Sequence, residues 1–328
     1  MAMIEVTPIS DASIAAAVKR LKSGDLVAFP TETVYGLGAD ATNASAVAKI
    51  FAAKRRPEFN PLISHVASRD AAFELGEETP IATALSNAFW PGPLTLILQR
   101  KASSPVSILT TAGLPKVGLR VPAHAGAQML LEAFGKPVAA PSANPSGKIS
   151  PSNVNHVVNG LGESVGLLLD GGPCASGLES TIIDCTNSKP RLLRPGGITR
   201  EAVATALSEA GLDPAITVAK PLENSEKPVA PGQLVSHYAP RARLRMAAEA
   251  RQHGEEMIGF GPIHGAGSLR LNLSPSGNLI EAAANLFSML HAADATGSAY
   301  ISVAKIPDTG LGEAINDRLR RAAAPRPD

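Results

Sequence analysis

The feature that most limits what this chain can fold into is an alternation. Short apolar runs of strand type are separated by segments with apolar residues at helical spacing as far as about residue 208; a proline-rich stretch interrupts the pattern, which then resumes. Alternation of this kind predicts an α/β architecture, because strands buried on both faces need helices to cover them. The runs are residues 26–29, LISHV at 62, LTLILQ at 94, VGLRV at 117, PVAA at 137, LLLD at 167, STIIDC at 180 and PRLLR at 190. Helical spacing covers 11–23, 43–54, 81–89, 123–134, 152–159 and 199–207. Strands follow one another directly after 167, so the sheet is expected to be mixed rather than purely parallel.

From about 211 to 232 the pattern dissolves into a stretch with four prolines and no sustained period, which reads as a linker. A smaller α/β pattern follows, with MIGF at 257, a helix over about 279–292, AYISV at 299 and a last helix carrying Ile315 and Leu319. The division is therefore 1–210, a linker over 211–242, and 243–328. A length of 328 residues with 45% apolar content suits two domains. Charges nearly cancel, at 30 basic against 29 acidic, so no global field draws the chain to nucleic acid or an anionic membrane. The two cysteines, Cys174 and Cys185, have no CxxC spacing and indicate neither a disulfide framework nor a zinc site. No apolar run approaches the ~20 residues of a membrane helix, and the cytoplasm is the expected compartment.

Five segments carry chemistry. PTETVYGLGAD at 30 sets the hydroxyls of Thr31, Thr33 and Tyr35 beside two glycines that let backbone amides approach a ligand. AKRRPEFNPLISHV at 53 brings Lys54, Arg56, Asn60 and His65 to one proline-stiffened connection, although a basic helix end and a core histidine are the plainer readings. Arg120 and Arg194 sit inside apolar strands. A guanidinium there needs an anion, and with few acids in the neighbouring strands a substrate carboxylate or phosphate suits its fork. APSANPSGKISPS at 140 and LDGGPCASGLESTIID at 169 are rich in small hydroxyl residues and glycine, as in loops that wrap phosphate or ribose oxygens; Ser142, Asn144, Ser180 and Thr181 are expected to face a ligand. Five such segments at successive strand ends point to one binding site.

In this order, PTETVYGLGAD, the K-x-R-P-x-x-N-P-L-I run, VGLRVP, PSANPSG and DGG-x-x-x-G-x-ESTIID resemble the signature set of the YrdC-like threonylcarbamoyl-AMP synthases over roughly residues 10–208. APGQLVSHYAP at 230 resembles the linker that joins a Rossmann-like domain to the catalytic one in long members. The resemblance implies a twisted mixed-sheet catalytic domain, a smaller Rossmann-like α/β domain, and a basic cavity for ATP and L-threonine. Thr31, Thr33, Tyr35, His65, Arg120, Ser180 and Thr181 would then serve threonine, with Arg120 on its carboxylate. Lys54, Arg56, Asn60, Lys116, Ala140, Ser142, Asn144, Ser150, Arg194 and Tyr238 would serve ATP; Lys54, Arg56 and His65 would act in catalysis, with Mg²⁺ accompanying the nucleotide and no metal ligand assigned among the residues. Arg55 stands where the family usually has glycine, and Ala230 and Ser236 where it often has serine and arginine.

The implied reaction joins L-threonine, bicarbonate and ATP into L-threonylcarbamoyladenylate and releases pyrophosphate, for modification of the adenosine next to the anticodon in tRNA. A downstream tRNA threonylcarbamoyl transferase machinery would be the partner, with direct tRNA contact left open and no membrane involved. The nucleophile belongs to the substrate, in keeping with the lack of a GxSxG elbow or Cys/His pair. The linker and second domain are expected to act as a lid over a water-sensitive product. A non-catalytic protein that binds double-stranded RNA or tRNA is the competing reading, disfavoured by 4% aromatic content and a single Trp. A carbamoyltransferase for hydrogenase maturation uses a similar domain, but needs zinc-finger parts that two cysteines cannot supply.

Overall fold

Local signals set the helices. Ser10 opens α1 (Asp11–Lys22) with a reciprocal capping box to Ser13, and Gly24, at φ 77°, turns the chain out after it. Asn43 caps α2, Thr199 caps α7 and Asn278 caps α8 in the same way, each accepting from the amides of the first turn. The computed structural model describes residues 4–219, 228, 230–232, 236–262 and 271–325.

In chain order the first unit runs β1 (Glu5–Pro8), α1, β2 (Val27–Phe29), β3 (Gly36–Asp40), α2 (Ala44–Lys54), β4 (Ile63–His65), α3 (Arg69–Leu75), α4 (Pro80–Phe89) and β5 (Leu94–Gln99). It continues with β6 (Lys116–Arg120), α5 (Ala125–Phe134), β7 (Val138–Ala139), α6 (Val154–Leu161), β8 (Leu167–Asp170), β9 (Thr181–Asp184), β10 (Arg191–Arg194), α7 (Arg200–Glu209) and β11 (Thr217–Val218). Among the described residues these strands form an 11-stranded sheet in the order β1-β8-β2-β3-β7-β4-β6-β5-β9-β10-β11. The sheet is mixed, as expected: β4 and β6 are parallel, while β2–β3, β5–β6 and β9–β10 are antiparallel. Ile14, Val18 and Leu21 of α1 pack with Leu130 and Leu131 of α5, whereas Val47, Ile50 and Phe51 of α2 pack with Val157 and Leu161 of α6.

Two expectations change. The strand runs recognised in the sequence include none within PTETVYGLGAD, yet its second half is β3, paired with β2 and β7. Its glycines are what allow this pairing, since a Cβ on Gly38 would stand 2.8 Å from the Phe29 ring. The stretch expected to be linker begins by adding β11 to the edge of the sheet beside β10. The linker residues 220–227, 229 and 233–235 lie outside the described residues.

The second unit is β12 (Arg243–Arg245), β13 (Glu255–Gly259), β14 (Leu271–Asn272), α8 (Leu279–Ala295), β15 (Tyr300–Val303) and α9 (Leu311–Ala323). Its strands form a parallel sheet in the order β12-β15-β13-β14. Its core does not close on itself: Leu286, Phe287 and Leu290 of α8 share one apolar cluster with Val34, Ile149 and Leu178 of the first unit. Gly177 marks the closeness of this seam, because a Cβ there would lie 2.4 Å from the Ala284 carbonyl oxygen. Ser152 meets Ser288 at 2.8 Å, and the rings of His156 and His291 stack with centroids 3.8 Å apart. Among the described residues no helix is long and apolar enough to cross a membrane.

Candidate active site

The ends of β2, β4, β6, β7 and β10, the loops that follow β2 and β7, and the residues just before β9 line a cavity. The seam with the second unit closes it, through Pro231, Gly232, His237 and Tyr238. Parallel pairing sets His65 directly beside Arg120, so the register of β4 and β6 puts both side chains on one face. Thr31, Thr33, Arg56, His65, Arg120, Ala140, Ser142, Ser180, Arg194 and Tyr238 all line the cavity. Strand ends far apart in sequence are thus brought to one place.

Cations dominate this wall. The Arg56 guanidinium donates through Nε to the Asn60 carbonyl at 3.2 Å and through Nη2 to that of Pro61 at 2.9 Å. Arg194 donates to the Ser180 carbonyl through Nε and Nη2, and to the Ser180 hydroxyl at 3.1 Å. Among the described residues no carboxylate lies within ion-pair distance of Arg56, Arg194 or Lys54. Burial pushes Arg56 down to about 9, a direction reinforced by Arg194, and burial lowers Lys54 and Arg194 as well. Positive charges this close in a dry wall favour an anion among them.

Arg120 is different. Its Nη2 donates to Glu32 Oε1 at 2.6 Å, its Nη1 to the Thr33 hydroxyl at 2.9 Å and its Nε to the Gly92 carbonyl at 3.3 Å. The sequence shows few acids in the neighbouring strands and favours a substrate anion for this arginine; Glu32, which lies in the loop after β2, gives it a carboxylate of the protein as well. The second carboxylate oxygen of Glu32 is buried without a partner among the described residues. Burial, and then Arg120, push His65 down to about 3, so its ring is neutral at physiological pH; Nδ1 is buried without a partner.

Other expected site residues are placed elsewhere. The Tyr35 hydroxyl donates to the Gly172 carbonyl at 2.8 Å and its ring fills the core on the α2 side of the sheet, away from the cavity. The Thr181 hydroxyl donates to the Ile198 carbonyl at 2.6 Å, because strand alternation turns it to the face opposite Ser180. Lys116 is at the far end of β6 from Arg120, paired with Asp184 at 2.9 Å. The Lys54 ammonium grips the carbonyls of Ser142 and Asn144, so it shapes the 140–150 loop instead of facing the open space. The Asn144 amide donates to the carbonyls of Pro145 and Lys148 within the same loop. Asn60 is fully buried behind Arg56 with both amide atoms free of partners among the described residues. The Ser150 hydroxyl donates to Glu179 Oε1 at 2.5 Å.

Glu179, Glu32 and His237 were not among the expected site residues, although all three stand inside quoted motifs; acids beside arginines were the available signal for the first two. Glu179 is the one carboxylate in the described lining, and both of its oxygens are engaged, by Ser150 and by Arg318 of α9. No three His, Cys, Asp or Glu side chains converge among the described residues. The donor set therefore does not form a protein-held magnesium site, and any magnesium would enter on the nucleotide phosphates.

Comparison with known proteins agrees with this geometry. The Sua5/YciO/YrdC family model, described as "Telomere recombination", matches residues 19–196, and the model "Threonylcarbamoyl-AMP synthase, C-terminal domain" matches 198–324. The chain is 39% identical over 334 residues to the threonylcarbamoyl-AMP synthase of Bacillus subtilis, covering 97% of this chain and 94% of that one. It is 41% identical over 321 residues to that of Pyrococcus abyssi, covering 93% and 92%. A crystal structure of P. abyssi Sua5 complexed with L-threonine superposes with a TM-score of 0.86 at 36% identity, covering 98% of this chain and 97% of that one. Matches of this extent, over both sheets and the stretch between them, leave one conclusion: the chain belongs to the threonylcarbamoyl-AMP synthase family, in its two-unit form.

Proposed function

We infer that the chain condenses L-threonine, bicarbonate and ATP into L-threonylcarbamoyladenylate with release of pyrophosphate, for threonylcarbamoylation of tRNA. The observation that carries this reading is the cavity wall itself. Buried Arg56 and Arg194 with no carboxylate of their own share the lining with a second set, Arg120, Thr33 and neutral His65, with Glu32 pairing Arg120 from outside the lining, which is suited to a zwitterion. A triphosphate on the first side and a small amino acid on the second fit this polarity.

Threonine's amine would take up carbon dioxide derived from bicarbonate, losing a proton to form a carbamate. A carbamate oxygen would then attack the α-phosphorus, and the bond to the β,γ-pyrophosphate would break. Arg120, oriented by Glu32, would hold the threonine carboxylate, while the ring of His65 accepts a hydrogen bond from its amine end. His65, neutral at physiological pH, would orient without adding charge. Arg56 and Arg194 would offset the charge that builds as pyrophosphate leaves, with Ser142, Ser180 and the Ala140 backbone fixing the adenylate; Lys54, Asn60, Asn144 and Ser150 would act behind them, holding the loop. Magnesium would come with ATP.

The division at 1–210, 211–242 and 243–328 is kept as the functional one, with Tyr238 as the part of the connecting segment that reaches the cavity. The protein would act in the cytoplasm, where ATP, L-threonine and tRNA would meet, upstream of a tRNA-modifying transferase. The test is incubation with ATP, labelled bicarbonate and single amino acids. Pyrophosphate and a labelled adenylate formed with threonine alone support the reading; pyrophosphate without a bicarbonate-dependent adenylate would overturn it.

A further inference from the structure

Arg318 belongs to α9 of the second unit, yet its guanidinium reaches two residues of the cavity wall, Glu179 and Tyr238, from behind. It is fully buried, and its Nε donates to Glu179 Oε2 at 2.8 Å. Its Nη1 donates to Asp317 at 2.8 Å, and its carbon centre lies 5.2 Å from the centroid of the Tyr238 ring. Asp317 in turn accepts from Arg321. Glu179 completes the chain by accepting from Ser150.

A carboxylate lining the same cavity as Arg194 has an obvious alternative partner. Arg194 has no acidic hydrogen-bond partner among the described residues, being held only by Ser180. Burial by itself would push Glu179 up; Arg318, and after it Arg194, hold it below the usual carboxylate range, so both arginines act on this one group. Glu179 is near enough for its charge to act on Arg194, yet both of its oxygens are taken, by Ser150 and by Arg318, and neither bonds Arg194.

We propose that Arg318 is a positioning residue for the nucleotide: by holding Glu179 it leaves Arg194 free for phosphate, so that docking of the second unit sets the charge of the catalytic cavity. This rests on the reading of the cavity as an ATP site. The second unit then contributes an electrostatic function distinct from covering the cavity. Loss of Arg318 releases Glu179 to pair with Arg194, and the phosphates meet a neutralised arginine.

The test uses the full chain and pyrophosphate release with ATP and threonine varied separately. Activity of the parent chain that depends on both substrates establishes the ATP reading first; without it, that reading fails before this one is tested. Arg318→Met is expected to raise KM for ATP about tenfold, with KM for threonine changed less than about twofold. Adding Glu179→Gln is expected to recover most of that loss, because no carboxylate remains to capture Arg194. A role confined to holding the units together predicts the reverse, with the double variant no better than Arg318→Met, and that result overturns the proposal. So does a KM for ATP within about twofold of the parent chain in Arg318→Met, or an equal rise for both substrates. Should Arg318→Met fail to fold, Arg318→Gln, which removes the charge but keeps a polar donor, carries the same comparison with and without Glu179→Gln.

Discussion

Replacing Arg55 with glycine is expected to stabilise the protein while leaving catalysis untouched. Arg55 ends α2 at φ 50°, ψ 44°, in the left-handed region. There an L side chain costs roughly 1–2 kcal/mol because Cβ crowds the following carbonyl oxygen. Glycine removes that strain but loses roughly 0.5–1 kcal/mol through the greater freedom of the unfolded chain. The Arg55 side chain is exposed, so its charge at the end of α2 adds back only about 0.3 kcal/mol, and its backbone amide would still donate to Ala52 and Phe51. The net expectation is about 0.5 kcal/mol of added stability. Urea unfolding is the assay, with the midpoint rising and the slope unchanged. KM for ATP should stay within about twofold, because Arg55 is absent from the cavity lining that Arg56 joins. A midpoint that stays or falls would refute the strain argument, and a lost ATP affinity would refute the claim that only Arg56 of this basic pair faces the nucleotide.

Tyr35→Phe should cost roughly 1 kcal/mol, since the Gly172 carbonyl and the Gly171 amide lose their shared hydroxyl, while KM for threonine is unchanged; a selective rise in that KM would return Tyr35 to the substrate. Gly177→Ala should separate the two units, because a Cβ would meet the Ala284 and Ala283 carbonyl oxygens at 2.4 and 2.5 Å in the middle of α8; limited proteolysis cutting between the units at a lower protease dose would register it. The stacked pair His156 and His291 should make the seam sensitive to acid. Burial, and then His291, push His156 down to about 3, and burial lowers His291, which also faces the Ser150 carbonyl and Asp294. Below about pH 6.5 the unfolded chain binds protons that the folded rings refuse, so this stability is full above that pH and falls away toward 3. The upper bound at pH 5 is about 2 kcal/mol for His156, reduced by its partial exposure to solvent. Melting between pH 7.5 and 5 should therefore fall less in a variant with both histidines changed to glutamine, and an equal fall in both proteins would dismiss the pair as the cause.

Most of the regular structure was readable because its causes are local. Apolar spacing and the caps at Ser10, Asn43 and Thr199 lie within a few residues of the helices they begin, and LTLILQ carries its own strand preference. GLGAD has no such preference; pairing with β2 and β7 makes it a strand, so its spacing does not announce one. At the site, residue types at successive strand ends were enough to find the segments that line the cavity. Which side chain of each loop enters the cavity was not, because that depends on which way the pleat turns it: Ser180 inward and Thr181 outward, His65 inward and Tyr35 away.

The sequence by itself determined the alternation of elements, the break between the units, and the supply of cations and hydroxyls at strand ends, all of which follow from backbone preference and side-chain chemistry over short spans. Only the tertiary structure decided what those cations meet. Glu32 reaches Arg120 across 88 positions and Arg318 reaches Glu179 across 139. Such separations leave no periodic trace, and in α9 Arg318 looks like one more charge on a solvated face. Burial turns it into a charge that must be paired, and the partner that folding supplies is the carboxylate in the wall of the catalytic cavity.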